Sequence, residues 1–214
     1  VFGTTTGLLR NYMAKFGLEV DFAEVTSLDS WRSLIKPNTK LLMLETPSNP
    51  MAEIADISAI AKIAHDNNAK LMVDNCFCTP ALQQPIKFGA DLIVHSATKY
   101  LDGQGRCLGG VVCGNQEDMD LVRAFLRTCG PTLSPFNAWV FLKGLETLKL
   151  RMTAHSQQAM DLSLWLQTQP DVEKVFYGGL KEHPGHELAS KQQTAFGGVL
   201  ALRIKGGKKQ AFAF

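Results

Sequence analysis

Apolar positions along this chain change their spacing from block to block, and the changes predict its elements. Lys40 to Glu45 (KLLMLE), Lys70 to Val73 and Asp91 to Val94 are short, almost unbroken apolar runs closed by polar turns. That is the pattern of strands buried on both faces. Between the first two, apolar residues at 57, 60, 61, 63 and 64 repeat at helical spacing and predict a helix over Ile57 to Asn67. Upstream, Thr6 to Phe16 reads as a helix stopped by Gly17, Leu18 to Val25 as a strand, and Ser30 to Ile35 as a short helix capped by Ser27 or Asp29. Downstream come a short helical piece around Ile86 and Phe88, a strand at Val111 to Cys113, and a helix from Glu117 to Cys129. Long helical structure then runs from Pro135 to Gln167, with strands at Val172 to Tyr177 and Val199 to Ile204. Strand and helix alternate through the first half, which makes this an α/β chain with a mainly parallel sheet covered by helices. Right-handed crossovers then gather the loops after successive strands at one edge.

Composition narrows the classes. The 214 residues are 45% hydrophobic and 20% charged, with a net charge of +2. No basic tract interleaved with aromatics is present, so nothing points to nucleic acid. No apolar run approaches membrane-spanning length. Five cysteines form no even framework, which fits a reduced, cytoplasmic setting. The sequence opens at Val1 without methionine and closes in GGKKQAFAF, one turn into a helix, so a fragment of a longer protein is expected.

Chemistry concentrates at the ends of the predicted strands. The strand Asp91 to Val94 runs into His95, Ser96, Thr98 and Lys99, then into glycines 103, 105, 109 and 110. A lysine past a buried strand can be partly desolvated, which frees its amine as nucleophile or base. Ser96 and Thr98 flank it with hydroxyls suited to a phosphate. Together they suggest a phosphate-bearing aldehyde held as a Schiff base, which is pyridoxal 5'-phosphate. A single lysine after a strand is more often a solvated loop residue, so the other strand ends decide. Asp74 closes Lys70 to Val73, where a carboxylate can keep a pyridine nitrogen protonated. Asn49 follows Lys40 to Glu45 inside Thr46-Pro47-Ser48-Asn49-Pro50, where its amide can donate to a phenolic oxygen. A turn or a helix cap explains either residue alone; three sets at successive strand ends favour one site. His183 and His186 bracket a Pro-Gly turn with no third ligand, so no metal site is assigned.

These residues resemble the γ-family of pyridoxal-phosphate enzymes of cysteine and methionine metabolism. The resemblance rests on ETPSNP at 45 to 50, VDNCFCTP at 73 to 80 and HSATKYLDGQGR at 95 to 106, with 25 residues from Asn49 to Asp74 and 25 from Asp74 to Lys99. It covers essentially the whole chain, and DGQGRCLGG is most similar to the O-succinylhomoserine sulfhydrylase branch. The resemblance implies a transferase of fold type I. Residues 1–149 would form the central part of the large cofactor domain and 150–214 the start of a smaller α/β domain. It implies Lys99 as the Schiff-base lysine, Asp74 as the pyridinium partner, Ser96 and Thr98 at the phosphate and Asn49 near the phenolic oxygen. Phe2 stands where the family usually has a tyrosine stacked on the ring, so the stack is kept without the hydroxyl. Cys76 replaces a common threonine and reads as a packed thiol.

A tyrosine and an arginine from a neighbouring subunit, with a glycine phosphate turn, would lie upstream of Val1. The arginine that clamps the substrate carboxylate would lie beyond Phe214. The implied reaction is replacement at the γ-carbon of a homoserine ester by sulfide, in a homotetramer of two catalytic dimers. Cystathionine γ-synthase, O-acetylhomoserine sulfhydrylase and methionine γ-lyase compete within the family. Two other classes compete outside it. A dinucleotide oxidoreductase is disfavoured because the glycines do not form GxGxxG. A non-catalytic assembly module is disfavoured by intact Lys99 and Asp74.

Overall fold

The computed structural model describes residues 2–213. Its main sheet has four strands in the order β1-β2-β3-β4: β1 (Leu41–Glu45), β2 (Lys70–Asp74), β3 (Leu92–Ser96) and β4 (Gly110–Cys113). β1, β2 and β3 pair in parallel, with Glu45 opposite Asp74 and Asp74 opposite Val94. β4 returns antiparallel, with Ser96 opposite Gly110. The three apolar runs of the sequence are therefore the three parallel strands.

Helix α3 (Ile57–Asp66) covers one face of this sheet. Asp56 caps it, its carboxylate accepting from the Ala59 N–H at 2.9 Å. Ile57, Ile60, Ala61, Ile63 and Ala64 pack on Leu42, Leu44, Leu71 and Val73 in one buried cluster. Each large aliphatic side chain so buried contributes about 1.5–3 kcal/mol. Side chains alternate across a strand, so Glu45, Met72, Asp74, Val94 and Ser96 point to the other face, where all but Glu45 stay partly accessible.

The second half is largely helical. α5 (Gln116–Cys129) starts at an Asn115 cap and is anchored through a Lys70–Asp118 ion pair. α6 (Pro135–Glu146) and α7 (Leu148–Gln167) follow. The long helical structure expected over Pro135 to Gln167 is formed by these two helices, with Thr147 outside helical geometry between them. β5 (Val172–Phe176) and β6 (Ala201–Ile204) form a separate antiparallel pair, with a cluster of Ala159, Leu166, Val175, Tyr177 and Leu180 beneath it.

At the N-terminal end, helical turns run from Gly3 to Phe16 and stop at Gly17, whose φ of 84° suits glycine. α2 (Leu28–Ser33) is capped by Ser27 and not by Asp29. The strand expected over Leu18 to Val25 is not formed. This segment pairs with no strand among the described residues; it lines a cavity of about 410 Å³ together with β1. Alternating Leu18, Val20 and Phe22 carry the signature of a strand, and the ladder partner that would make one is missing.

Candidate active site

Asp74, Ser96, Thr98, Lys99 and Asn49 all lie at the carboxyl edge of the parallel strands. Asp74 is the last residue of β2 and Ser96 the last of β3, on the same face of the sheet. Asn49 sits exposed in the turn after β1, and Phe2 is 52% exposed just before the first helical turns. No ion pair of Lys99 occurs among the described residues, and its side chain is exposed. The desolvation expected for it is thus not supplied by the described residues, because the sheet face beside it is open.

One residue joins the strand ends. Cys76 donates its backbone N–H to Asp74 Oδ1 at 3.0 Å, and its Sγ accepts the Ser96 N–H at 2.7 Å. Its thiol also bonds to the Asp74 carboxylate; burial first, and that carboxylate second, push its pKa up to about 12. It stays a protonated linker and not a nucleophile, in keeping with a packed thiol, but it holds both Asp74 and Ser96. A threonine-for-cysteine difference is visible in sequence; the bridge is not.

Thr98 is fixed to the glycine run. Its Oγ1 donates to the Gly109 carbonyl at 3.3 Å and accepts from the Gly109 N–H at 3.1 Å, leaving one lone pair for a ligand. Lys99 interrupts a helical turn at φ −87°, ψ −119°. Behind it, Asp102 is buried and bound by Arg106, and Arg151 donates to the Tyr100 carbonyl at 2.8 Å and the Gly144 carbonyl at 2.7 Å. Burial acts to raise the Asp102 pKa, but hydrogen bonds from Arg106 outweigh it and hold the carboxyl below its usual range. The acid and base of DGQGR, four apart, were the available signal for this clamp.

A buried amide cluster supports the site from below. Gln83 Nε2 donates to the Thr46 carbonyl at 3.0 Å and to Asn75 Oδ1 at 2.9 Å. Asn75 Nδ2 donates to the Gln83 carbonyl, and Gln193 Nε2 to Gln83 Oε1 at 3.1 Å. The turn after β1, the end of β2 and a segment 110 residues away are thereby tied together. Sequence reading missed all four of these hydrogen bonds, since nothing local marks them. His183 and His186 are engaged in backbone turns: the Gly185 N–H donates to His183 Nδ1, and His186 Nδ1 donates to the Gly178 carbonyl.

Glu45 completes the edge. It is 6% exposed, sits opposite Asp74, and takes a hydrogen bond from the Phe2 backbone. Burial, and then the Asp74 charge, raise its pKa to about 7. His95, buried on the other face, has its pKa lowered by burial despite Asp74. An accessible carboxylate, two hydroxyls, backbone N–H groups and an unpaired amine at one sheet edge form a donor set that fits a pyridine ring bearing a phosphate and an aldehyde. No helix among the described residues is long and apolar enough to cross a membrane.

Comparison with known proteins gives the family. Residues 1–214 match the family described as Cys/Met metabolism PLP-dependent enzyme. The chain is 58% identical over 214 residues to the O-succinylhomoserine sulfhydrylase of Pseudomonas aeruginosa, covering all of this chain and 53% of that protein. It is 40% identical over 210 residues to the L-methionine gamma-lyase of Fusobacterium nucleatum, covering 97% and 53%. The crystal structure of metB from Corynebacterium glutamicum superimposes with a TM-score of 0.96 at 41% identity, covering 99% of this chain and 55% of that one. The chain therefore spans about half the length of the curated relatives it matches. Its sheet is that of a fold type I transferase, and the chain belongs to the pyridoxal-phosphate-dependent enzymes of cysteine and methionine metabolism.

Proposed function

We propose that the protein catalyses γ-replacement on a homoserine ester, converting O-succinylhomoserine and sulfide to homocysteine and succinate. The observation that carries the choice of ester is the 58% identity to the Pseudomonas aeruginosa O-succinylhomoserine sulfhydrylase over all 214 residues, against 40% for methionine lyase and cystathionine synthase relatives. The DGQGR run, with its Asp102–Arg106 clamp directly behind the lysine, supports the same choice.

Pyridoxal phosphate, when bound, supplies an electron sink for negative charge at the substrate α-carbon. Lys99 would hold it through Nζ and, as a free amine, would move the substrate's α-proton. Asp74 would keep a proton on the ring nitrogen. Asn49 would donate to the phenolic oxygen, and Ser96 and Thr98 would bind the phosphate. Phe2 would stack on the ring and, without a hydroxyl, would move no proton. Overall, sulfide replaces succinate at the γ-carbon, and the protons removed from the α- and β-carbons are returned to them. Residues 1–149 act as the central part of the cofactor domain and 150–214 as the start of the smaller one, a division that falls in the first turn of α7. The partners are a small-molecule amino acid and sulfide, with no nucleic acid or membrane, in a cytoplasmic homotetramer.

The test is the visible spectrum of the purified protein before and after borohydride, with mass mapping. A yellow chromophore that bleaches and leaves its mass on Lys99 supports the site; a protein that stays colourless with added cofactor overturns it. Succinate released from O-succinylhomoserine with sulfide, faster than acetate from the acetyl ester, supports the substrate. Preference for cysteine over sulfide would replace this activity with that of a synthase.

A further inference from the structure

The loop that carries Lys99 is held from behind by α7. Its own backbone closes two bonds: the Asp102 N–H donates to the Ala97 carbonyl at 3.0 Å, and the Gly103 N–H to the Lys99 carbonyl at 2.8 Å. The chain then turns out of helical geometry at Gly103, where φ is 78°. A side chain supplies the donor for the Tyr100 carbonyl: Arg151 Nη1, 51 residues away, bonds to it at 2.8 Å. The rest of the guanidinium is directed to neighbouring oxygens. Nη2 donates to the Gly144 carbonyl of α6 at 2.7 Å, and Nε to Thr147 Oγ1 at 3.1 Å. One planar fork thus joins the lysine loop, α6 and the start of α7. Gly103 leaves room for it, since a Cβ there would overlap the guanidinium. His155, four residues along α7 and on the same face, meets the side chain of the same tyrosine. Its ring centroid lies 5.3 Å from that of Tyr100, with the planes tilted by 60°.

We infer that Arg151 is a positioning residue for the Lys99 amine, acting through the Tyr100 carbonyl. The inference rests on Lys99 being the lysine that holds the cofactor. The Lys99 side chain is exposed, and no ion pair of it occurs among the described residues, so no charged partner there aims the amine. Its four-carbon stem is flexible. Where Nζ can reach is then set by where the Lys99 backbone stands. Both neighbours of Lys99 are pinned. Thr98 exchanges two hydrogen bonds with Gly109, and Tyr100 is held at its carbonyl by Arg151 and at its ring by His155. A lysine at 151 keeps the charge, but its ammonium is a point donor and does not reproduce a fork aimed at three oxygens. Displacing a reacting group by about 1 Å can slow its reaction by about a hundredfold. Loss of the fork therefore acts on the reactivity of Nζ, and not only on the stability of the loop.

The experiment reloads cofactor-free wild-type, Arg151→Lys and Arg151→Met proteins with saturating pyridoxal phosphate, well below each Tm, and follows the visible chromophore in time. The amplitude counts competent sites, and the first-order rate constant reports how readily Nζ forms the covalent bond at each of them. A merely structural arginine lowers the amplitude and leaves the rate constant at the wild-type value. A positioning arginine lowers the rate constant, by about tenfold or more in Arg151→Met. Arg151→Lys is expected to recover Tm more fully than it recovers the rate. Turnover counted per Lys99 fixed to cofactor by borohydride should fall in parallel, with KM within about twofold of wild type. A wild-type rate constant in both variants, while borohydride still labels Lys99, overturns this inference and leaves the cofactor site standing. Wild-type protein that takes up cofactor without a label on Lys99 overturns both. Should the Arg151 variants fail to fold, Thr147→Val decides. It removes only the oxygen that accepts from Nε, and a rate constant lowered by about threefold is expected; an unchanged one overturns the inference.

Discussion

Asp102 holds Arg106 twice: Oδ2 accepts the Arg106 backbone N–H at 2.6 Å and Oδ1 the guanidinium Nε at 2.7 Å, with the carboxylate fully out of solvent. The pair closes the loop that begins at Lys99, so removing one partner strands a buried charge. Arg106→Ala is expected to cost about 2–3 kcal/mol in urea unfolding. Asp102→Asn combined with it should recover part of that loss, because no unpaired charge remains. The Asp102 pKa is lowered in the folded state, so this stabilisation is present above the ordinary carboxylate range and disappears as pH falls through the lowered value. Equal losses in the single and double variants would show that the charge is not the cause.

The parts of this architecture that the sequence carried openly are those set by continuous burial. KLLMLE and KLMV stand within a residue of β1 and β2 and DLIV within two of β3, because a strand buried on one side has few polar positions to blur its ends. Leu18 to Val25 had the right residues and no ladder, since strand propensity is realised only against a neighbour. Asp74 and Lys99 were legible as strand-end chemistry. Cys76 as a bridge from Asp74 to Ser96, and Gln83 as a bridge to Gln193, were not, because the partners lie 20 and 110 residues apart and meet only in space.

Gly144 is where α6 touches the lysine loop. A Cβ built there would lie 2.1 Å from the Leu101 carbonyl oxygen and 2.8 Å from that of Asp102. Alanine improves helix propensity by about 1 kcal/mol, but a backbone clash of this size costs more, about 1–3 kcal/mol or above. Gly144→Ala is therefore expected to lower Tm despite the better helix former and to weaken cofactor retention by shifting the loop that carries Lys99. Alanine raising Tm with the cofactor still bound would mean that the loop and helix separate freely.

Glu45 gives the cofactor-free protein an unusual pH dependence. Its pKa is raised from 4.5 to about 7 by burial and Asp74, so between these values the folded chain binds more protons than the unfolded one. Stability therefore falls as pH rises from about 4.5 to 7 through this group, by up to about 3 kcal/mol. In Glu45→Gln the decline should be absent or much smaller. Urea midpoints at pH 5 and pH 7.5 for the two proteins measure it, and parallel profiles would contradict the buried, paired environment of this carboxyl.

Lys99 and Asp74 are separable by what each is expected to lose. Lys99→Ala removes the amine proposed to carry the covalent bond and the α-proton, so turnover and the borohydride-fixed mass should both vanish, and no pH should restore them. Asp74→Ala leaves the amine and the proposed phosphate hydroxyls in place, so cofactor should still bind in part and still be fixed on Lys99. What it removes is the charge proposed to keep the ring nitrogen protonated. About 3 kcal/mol of lost transition-state stabilisation would slow turnover by about a hundredfold or more. Asp74→Glu restores a carboxylate one methylene further from the backbone, whereas Cys76 N–H and Sγ fix where the Asp74 carboxylate stands. Turnover is therefore expected to recover only partly, with KM changing less than kcat. Near-normal turnover in Asp74→Ala would remove Asp74 from the ring nitrogen.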